Sequence, residues 1–206
     1  MKNAIAVGIL LVFGFSTVAH AGQDSKSGAQ LTEQQWNDLY AALDNEDWNG
    51  AADHSAKYLR QLKDEGDKKS LARLRYMFIF ASAGRVIERK MSFEELGKAL
   101  RELVGKEIIL PARELRTTCP PPMNTICVRS EGNYDLSSAA SNNHGTSIHA
   151  FEYIKLQEKF DAQGHNGDIG AVGGILTSFQ LNPNKSTIWV MRLFIEKGQL
   201  TLGYKQ

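Results

Sequence analysis

The chain has 206 residues, 42% of them hydrophobic, with 24 Lys and Arg against 23 Asp and Glu. A formal net charge of +1 argues against broad electrostatic capture of nucleic acid or an anionic membrane, which needs a basic surface. The length suits one large domain or two small ones.

Lys2 supplies a positive start, residues 4–15 form a chargeless apolar run, and small residues lead to Ala19-His20-Ala21. This pattern predicts a cleavable secretory signal over residues 1–21, with the mature chain starting at Gly22. Ser16, Thr17 and His20 cut the run short of the roughly 20 apolar residues that a transmembrane helix needs. No cysteine follows the cleavage site, which speaks against a lipoprotein anchor. Cleavage removes Lys2 and leaves 23 basic and 23 acidic residues. No later segment is apolar enough to span a bilayer, so the mature protein is expected to be soluble, in a periplasm or outside the cell.

Residues 22–30 are small and polar and read as a disordered leader. A helical module is expected over 31–104. Thr32 with Gln35 makes a capping box, and Leu31 with Trp36 the accompanying hydrophobic staple. Trp36, Leu39, Tyr40 and Leu43 follow on one helical face. A second helix carries Trp48, Ala51, Ala52, Ser55, Leu59 and Leu62, and Gly66 stops it. A third, from about Ser70, is apolar around much of its circumference through Leu71, Leu74, Tyr76, Phe78 and Phe80. Such a helix is expected to lie between others. Ser92 with Glu95 repeats the capping box ahead of a fourth helix, which Gly105 ends.

Two segments, Trp48-Asn49-Gly50-Ala51 with Leu59 and Phe93-Glu94-Glu95-Leu96 with Leu100, resemble tetratricopeptide-type helical hairpins. In that family an aromatic residue stands three positions before a small one. The resemblance implies an array of antiparallel helical hairpins. The chain departs from the family in the spacing of Trp48 and Phe93, which exceeds the 34-residue repeat, and in Leu96 at the small position.

After Gly105 the period changes from 3.6 to 2, and residues 105–206 are expected to form an antiparallel β module of five or six strands. Residues 106–115 and 125–129 read as a hairpin, with Cys119 and Cys127 bonded across its end. Two cysteines are too few for a structural zinc site, and an exported chain favours the disulfide. Residues 131–147 read as a polar loop, Ile148–Leu156 as a strand, and 157–162 as a helical turn. Glycines at 164, 167, 170, 173 and 174 mark a flexible connection. A meander then follows: residues 175–181, a turn at 182–185, a central strand over 188–195, a turn at 196–198, and an edge strand. This element order is similar to that of an OB-fold, which implies a barrel. A small sheet packed on the helices is the alternative, so the class expected is α+β.

A metal or hydrolytic site could draw on His144, His149, Glu152, His165 and Asp168. However, His149 and Glu152 are three apart on a strand and should face opposite sides. The glycine run lacks the G-K-[ST] ending of a phosphate loop, and no Ser lies in G-x-S-x-G. No catalytic residue, metal ligand or cofactor is assigned on this basis. His149, Phe151 and Tyr153 should share the outer face of their strand, either as a stacking platform for a partner or packed on the helical half. The function expected is a non-catalytic binding or assembly protein acting through a protein partner. The alternatives are an OB-type ligand binder and a metal-assisted hydrolase using the polar-loop His and Asp residues.

Overall fold

The computed structural model describes residues 30–62, 67–120, 122–129 and 132–203. The expected signal over 1–21, nearly all of the polar leader, and Gly66 as a helix stop lie outside the described residues. Among the described residues four helices come first: α1 (Glu33–Asp44), α2 (Trp48–Leu62), α3 (Lys68–Ile87) and α4 (Phe93–Arg101). Both capping boxes form. Thr32 accepts from the Gln35 N–H while the Gln35 side chain accepts from Thr32 N, and Ser92 and Glu95 repeat the exchange. The first orphan N–H groups of α1 and α4 are thereby satisfied. Asp67 caps α3 through Ser70 N at 2.9 Å.

The α3 helix is apolar on most sides because it packs against α2, α4, and three strands of the sheet that follows. Its first half joins α1 and α2 in one core built on Leu39, Ala51, Leu62, Leu71 and Leu74. Its second half joins α4 and the sheet in another, with Ile79, Val86, Leu96, Leu100, Ile154 and Leu193. The Trp48 ring lies flat on Gly84, where an added Cβ would come within 2.4 Å of it.

Seven strands follow among the described residues: β1 (Glu107–Ile109), β2 (Arg113–Arg116), β3 (Ile126–Val128), β4 (Leu136–Ser141), β5 (Ile148–Leu156), β6 (Ile169–Leu181) and β7 (Trp189–Leu202). The arrangement is α+β, four helices followed by a mixed sheet. The pairings β6–β2–β3–β4–β5–β7–β6 run in a circuit, with β1 beside β2 along the same edge of β6.

Several local expectations are corrected. The sheet is not wholly antiparallel, because β2–β3 and β5–β7 pair in parallel. Residues 106–115 form two short strands rather than one, since Pro111 between them has no N–H for a ladder. The expected hairpin to β3 is absent for a similar reason. The proline run after Cys119 cannot continue a strand, so the chain returns past β2 and enters β3 in the same direction. Part of the polar loop is β4, which pairs antiparallel with β3 on one side and β5 on the other.

Residues 157–162 form no helix. The glycine run is not a flexible connection either. Gly170 and Gly174 lie inside β6, where a Cβ would meet Leu115 at 2.6 Å and Ile195 at 2.7 Å. Glycine is required there by the close approach of neighbouring strands. The turn expected at 196–198 is instead an irregularity within one long strand. Lys197 adopts φ 52°, and the β6–β7 register shifts opposite it.

Cys119 and Cys127 are bonded, with Cα atoms 6.0 Å apart. The bond ties the start of the returning loop to β3. Replacing both residues by Ser is expected to lower the unfolding free energy by about 2–3 kcal/mol, from the loop-closure entropy of so short a ring. The loss should fall on the sheet more than on α1 and α2, as amide exchange would show. Alkylation of the native protein without reductant should label neither thiol. Two labelled thiols would show that the bond is absent.

Candidate functional site

Glu152 is the one charged residue on the inner face of β5, in line with Ala150 and Ile154, and it is 0% exposed. A carboxylate so placed needs partners. Arg113, on the inner face of β2 and 6% exposed, ion-pairs with it through Nη1. Arg113 Nη1 also donates to Ser138 Oγ at 2.6 Å, and Nη2 donates to the Tyr76 hydroxyl at 2.7 Å. Tyr76 in turn donates to Glu152 Oε1 at 2.5 Å. The four side chains come from α3, β2, β4 and β5, so the network joins the helices to the sheet. Burial on its own would lower the Arg113 pKa, but the Glu152 and Tyr76 oxygens raise it on balance. Burial drives the Tyr76 hydroxyl well above its ordinary value. At neutral pH the site is a guanidinium–carboxylate pair with a protonated tyrosine, and its net charge is zero.

Beside this network lies a cavity of about 300 Å³ between the helices and the chain linking β1 to β2. Leu43, Trp48, Met77, Phe80, Leu110 and Pro111 form its apolar wall, and Arg113 and Tyr76 form its polar wall. On α3, Arg73, Tyr76, Met77 and Phe80 face it at helical spacing. The rim is clasped. Asn143, in the β4–β5 turn, donates its N–H to Glu46 Oε1 at 2.7 Å and its side-chain amide to the Asp44 carbonyl at 2.9 Å. Asn124 bonds Ser141 twice, at 2.8 and 3.0 Å, holding the same turn to the disulfide loop.

The three residues expected on one strand face are divided between two. Phe151 and Tyr153 lie on the outer face, half-buried, where Tyr153 stacks with Phe194 of β7 and Phe151 tilts against Trp189. His149 points the other way and is 1% exposed. The cause is a bulge. Ala140 pairs with Ala150 and Ser141 with Ile148, so His149 is the extra residue and its side chain turns inward. It stacks on Phe80 at 4.2 Å and meets Trp48 edge-on at 4.7 Å, and its Nδ1–H donates to the Phe80 carbonyl at 3.0 Å. His149 and Glu152 therefore both face inward, contrary to strict alternation.

On the outer face, Cys127, Ser137, Tyr153 and Phe194 align across four strands. Small Ser137 and Ala139 floor an open trough of about 680 Å³ between the disulfide loop and the Phe151 and Tyr153 rings. His165 Nδ1 lies 2.8 Å from Asp168 Oδ2. His144 is exposed at the β4–β5 turn. Among the described residues no three His, Cys, Asp or Glu side chains gather closely enough to hold a metal ion. No described helix is long and apolar enough to cross a membrane.

Arg113 is the site residue that sequence reading missed. The available signal was Glu152, a lone charge on an otherwise apolar face that calls for a buried cation. No protein-family model, curated protein or solved structure matches the chain.

Proposed function

We propose that this is an exported, non-catalytic binding protein that holds a small apolar ligand between its helices and its sheet. The cavity beside Arg113 carries the reading. It has an apolar wall and a few polar groups already fixed by hydrogen bonds, the usual make-up of a preformed ligand site. The signal-like residues 1–21 support export, and the Cys119–Cys127 bond fits an oxidising compartment. Titration with the neutral fluorophore N-phenyl-1-naphthylamine is expected to give saturable one-site binding with enhanced emission. Leu43→Trp, which fills the cavity near the rim, should weaken that binding at least tenfold while leaving the circular dichroism unchanged. No saturable binding, or an unaffected Leu43→Trp variant, would overturn the reading.

Docking of a protein partner on the outer trough is the second reading. It is favoured by the Phe151 and Tyr153 rings together with Met123, which is 43% exposed. The double variant Phe151→Ser/Tyr153→Ser separates the two, since it should leave binding of the fluorophore unchanged. The hydrolase alternative rests on His144, His165 and Asp168, of which only His165 and Asp168 meet.

A further inference from the structure

Arginine carries five N–H donors. In Arg113 the four terminal ones are directed at Ser138, Tyr76 and the two Glu152 oxygens. The fifth, on Nε, is used by none of these bonds and is not among the fully buried unpaired atoms, so it keeps accessible surface on a side chain that lines the cavity. A ligand that fills the cavity and excludes water from this donor must offer an acceptor in its place, because a donor buried without one is costly.

Charge decides what kind of acceptor fits. The Glu152 carboxylate already neutralises Arg113. A carboxylate ligand would place a second anion in a site with one cation, and an uncompensated buried charge is strongly unfavourable. A cationic ligand would find both Glu152 oxygens taken by Tyr76 and Arg113. The other charged lining residues, Arg73 and Asp44, are of opposite sign and give the cavity no net charge. We infer that the ligand is an uncharged, largely apolar molecule bearing one oxygen acceptor, such as a ketone, ester or ether, that receives the Arg113 Nε–H. This rests on the reading of the cavity as a ligand site.

Three probes of one shape test it: 2-ethylnaphthalene, 2-acetylnaphthalene and 2-naphthoate, each displacing N-phenyl-1-naphthylamine from the full mature protein. The ketone should bind at least tenfold more tightly than the hydrocarbon, the least expected of a hydrogen bond to a charged donor. It should also bind at least tenfold more tightly than the carboxylate. In protein labelled with ¹⁵N-arginine, the ketone should shift the Arg113 Nε–H resonance, and the hydrocarbon should leave it in place.

Equal affinity of ketone and hydrocarbon would overturn the acceptor. Affinity of the carboxylate matching or exceeding that of the ketone would overturn the uncharged class. Binding of the fluorophore with no displacement by any of the three would overturn the class as well. Failure of the fluorophore itself to bind would instead remove the ligand site.

Discussion

Glu152→Gln is expected to destabilise the fold by about 3–5 kcal/mol, the cost of leaving one member of a buried ion pair without its partner. The substitution keeps the shape of the side chain and removes its charge, so packing is not the variable. Arg113 would then remain buried with its charge uncompensated, facing only the neutral oxygens of Ser138, Tyr76 and the new amide. A cost of that size is a large part of the roughly 5–15 kcal/mol by which domains are stable. Urea unfolding followed by circular dichroism would read it as a lower midpoint at unchanged slope.

Two companion variants separate charge from connectivity. Arg113→Met should cost a comparable amount at neutral pH, because it strands the Glu152 carboxylate. The double variant Arg113→Met/Glu152→Leu should recover most of the loss, since two apolar residues leave no buried charge. Coupling between the two sites is then large by a double-mutant cycle. If Glu152→Gln unfolds within about 1 kcal/mol of the parent, the pair is not buried in the working structure and the neutral site argued from it falls.

The helical half was legible because its signals are local. Capping boxes at Thr32/Gln35 and Ser92/Glu95 set where α1 and α4 begin, and the all-round apolar surface of α3 foretold its position between α2 and the sheet. The sheet was less legible because strand pairing is decided by distant residues. Glycine at 170 and 174 reads as loop composition until Leu115 and Ile195 are seen against it. Nothing local in Glu196-Lys197-Gly198 separates a turn from a bulge within a continuous strand. The site follows the same division. Glu152 could be singled out as a charge on a core face, but Arg113 and Tyr76 lie 39 and 76 residues away along the chain. His149 was placed on the wrong face because one extra residue at the β4–β5 bulge reverses its side chain.

That reversal has a consequence in pH. Burial between Trp48 and Phe80 lowers the His149 pKa from 6.5 to about 4, against the small opposing effect of its bond to the Phe80 carbonyl. Its Nε2 is buried and bonds to nothing among the described residues, so a second ring proton would have no acceptor. In the unfolded chain the imidazole titrates near its ordinary value, about 6.5. Between those two values the unfolded state therefore binds a proton that the native state does not. The contribution of His149 to stability is complete above about pH 6.5 and falls as the pH drops toward 4. The slope approaches 1.4 kcal/mol per pH unit, for a total of about 3 kcal/mol.

His149→Phe keeps a ring against Trp48 and Phe80 and removes the titration. Measured by urea unfolding at pH 7.5, 6 and 5, the parent should lose stability relative to this variant by about 2 kcal/mol between the first and last points. Asp67 and Glu95, whose carboxyls are held below their ordinary values by bonds to Ser70 and Ser92, are common to both proteins and cancel in the comparison. Parallel stability curves for parent and variant across that range would mean that the imidazole is not buried where the bulge puts it.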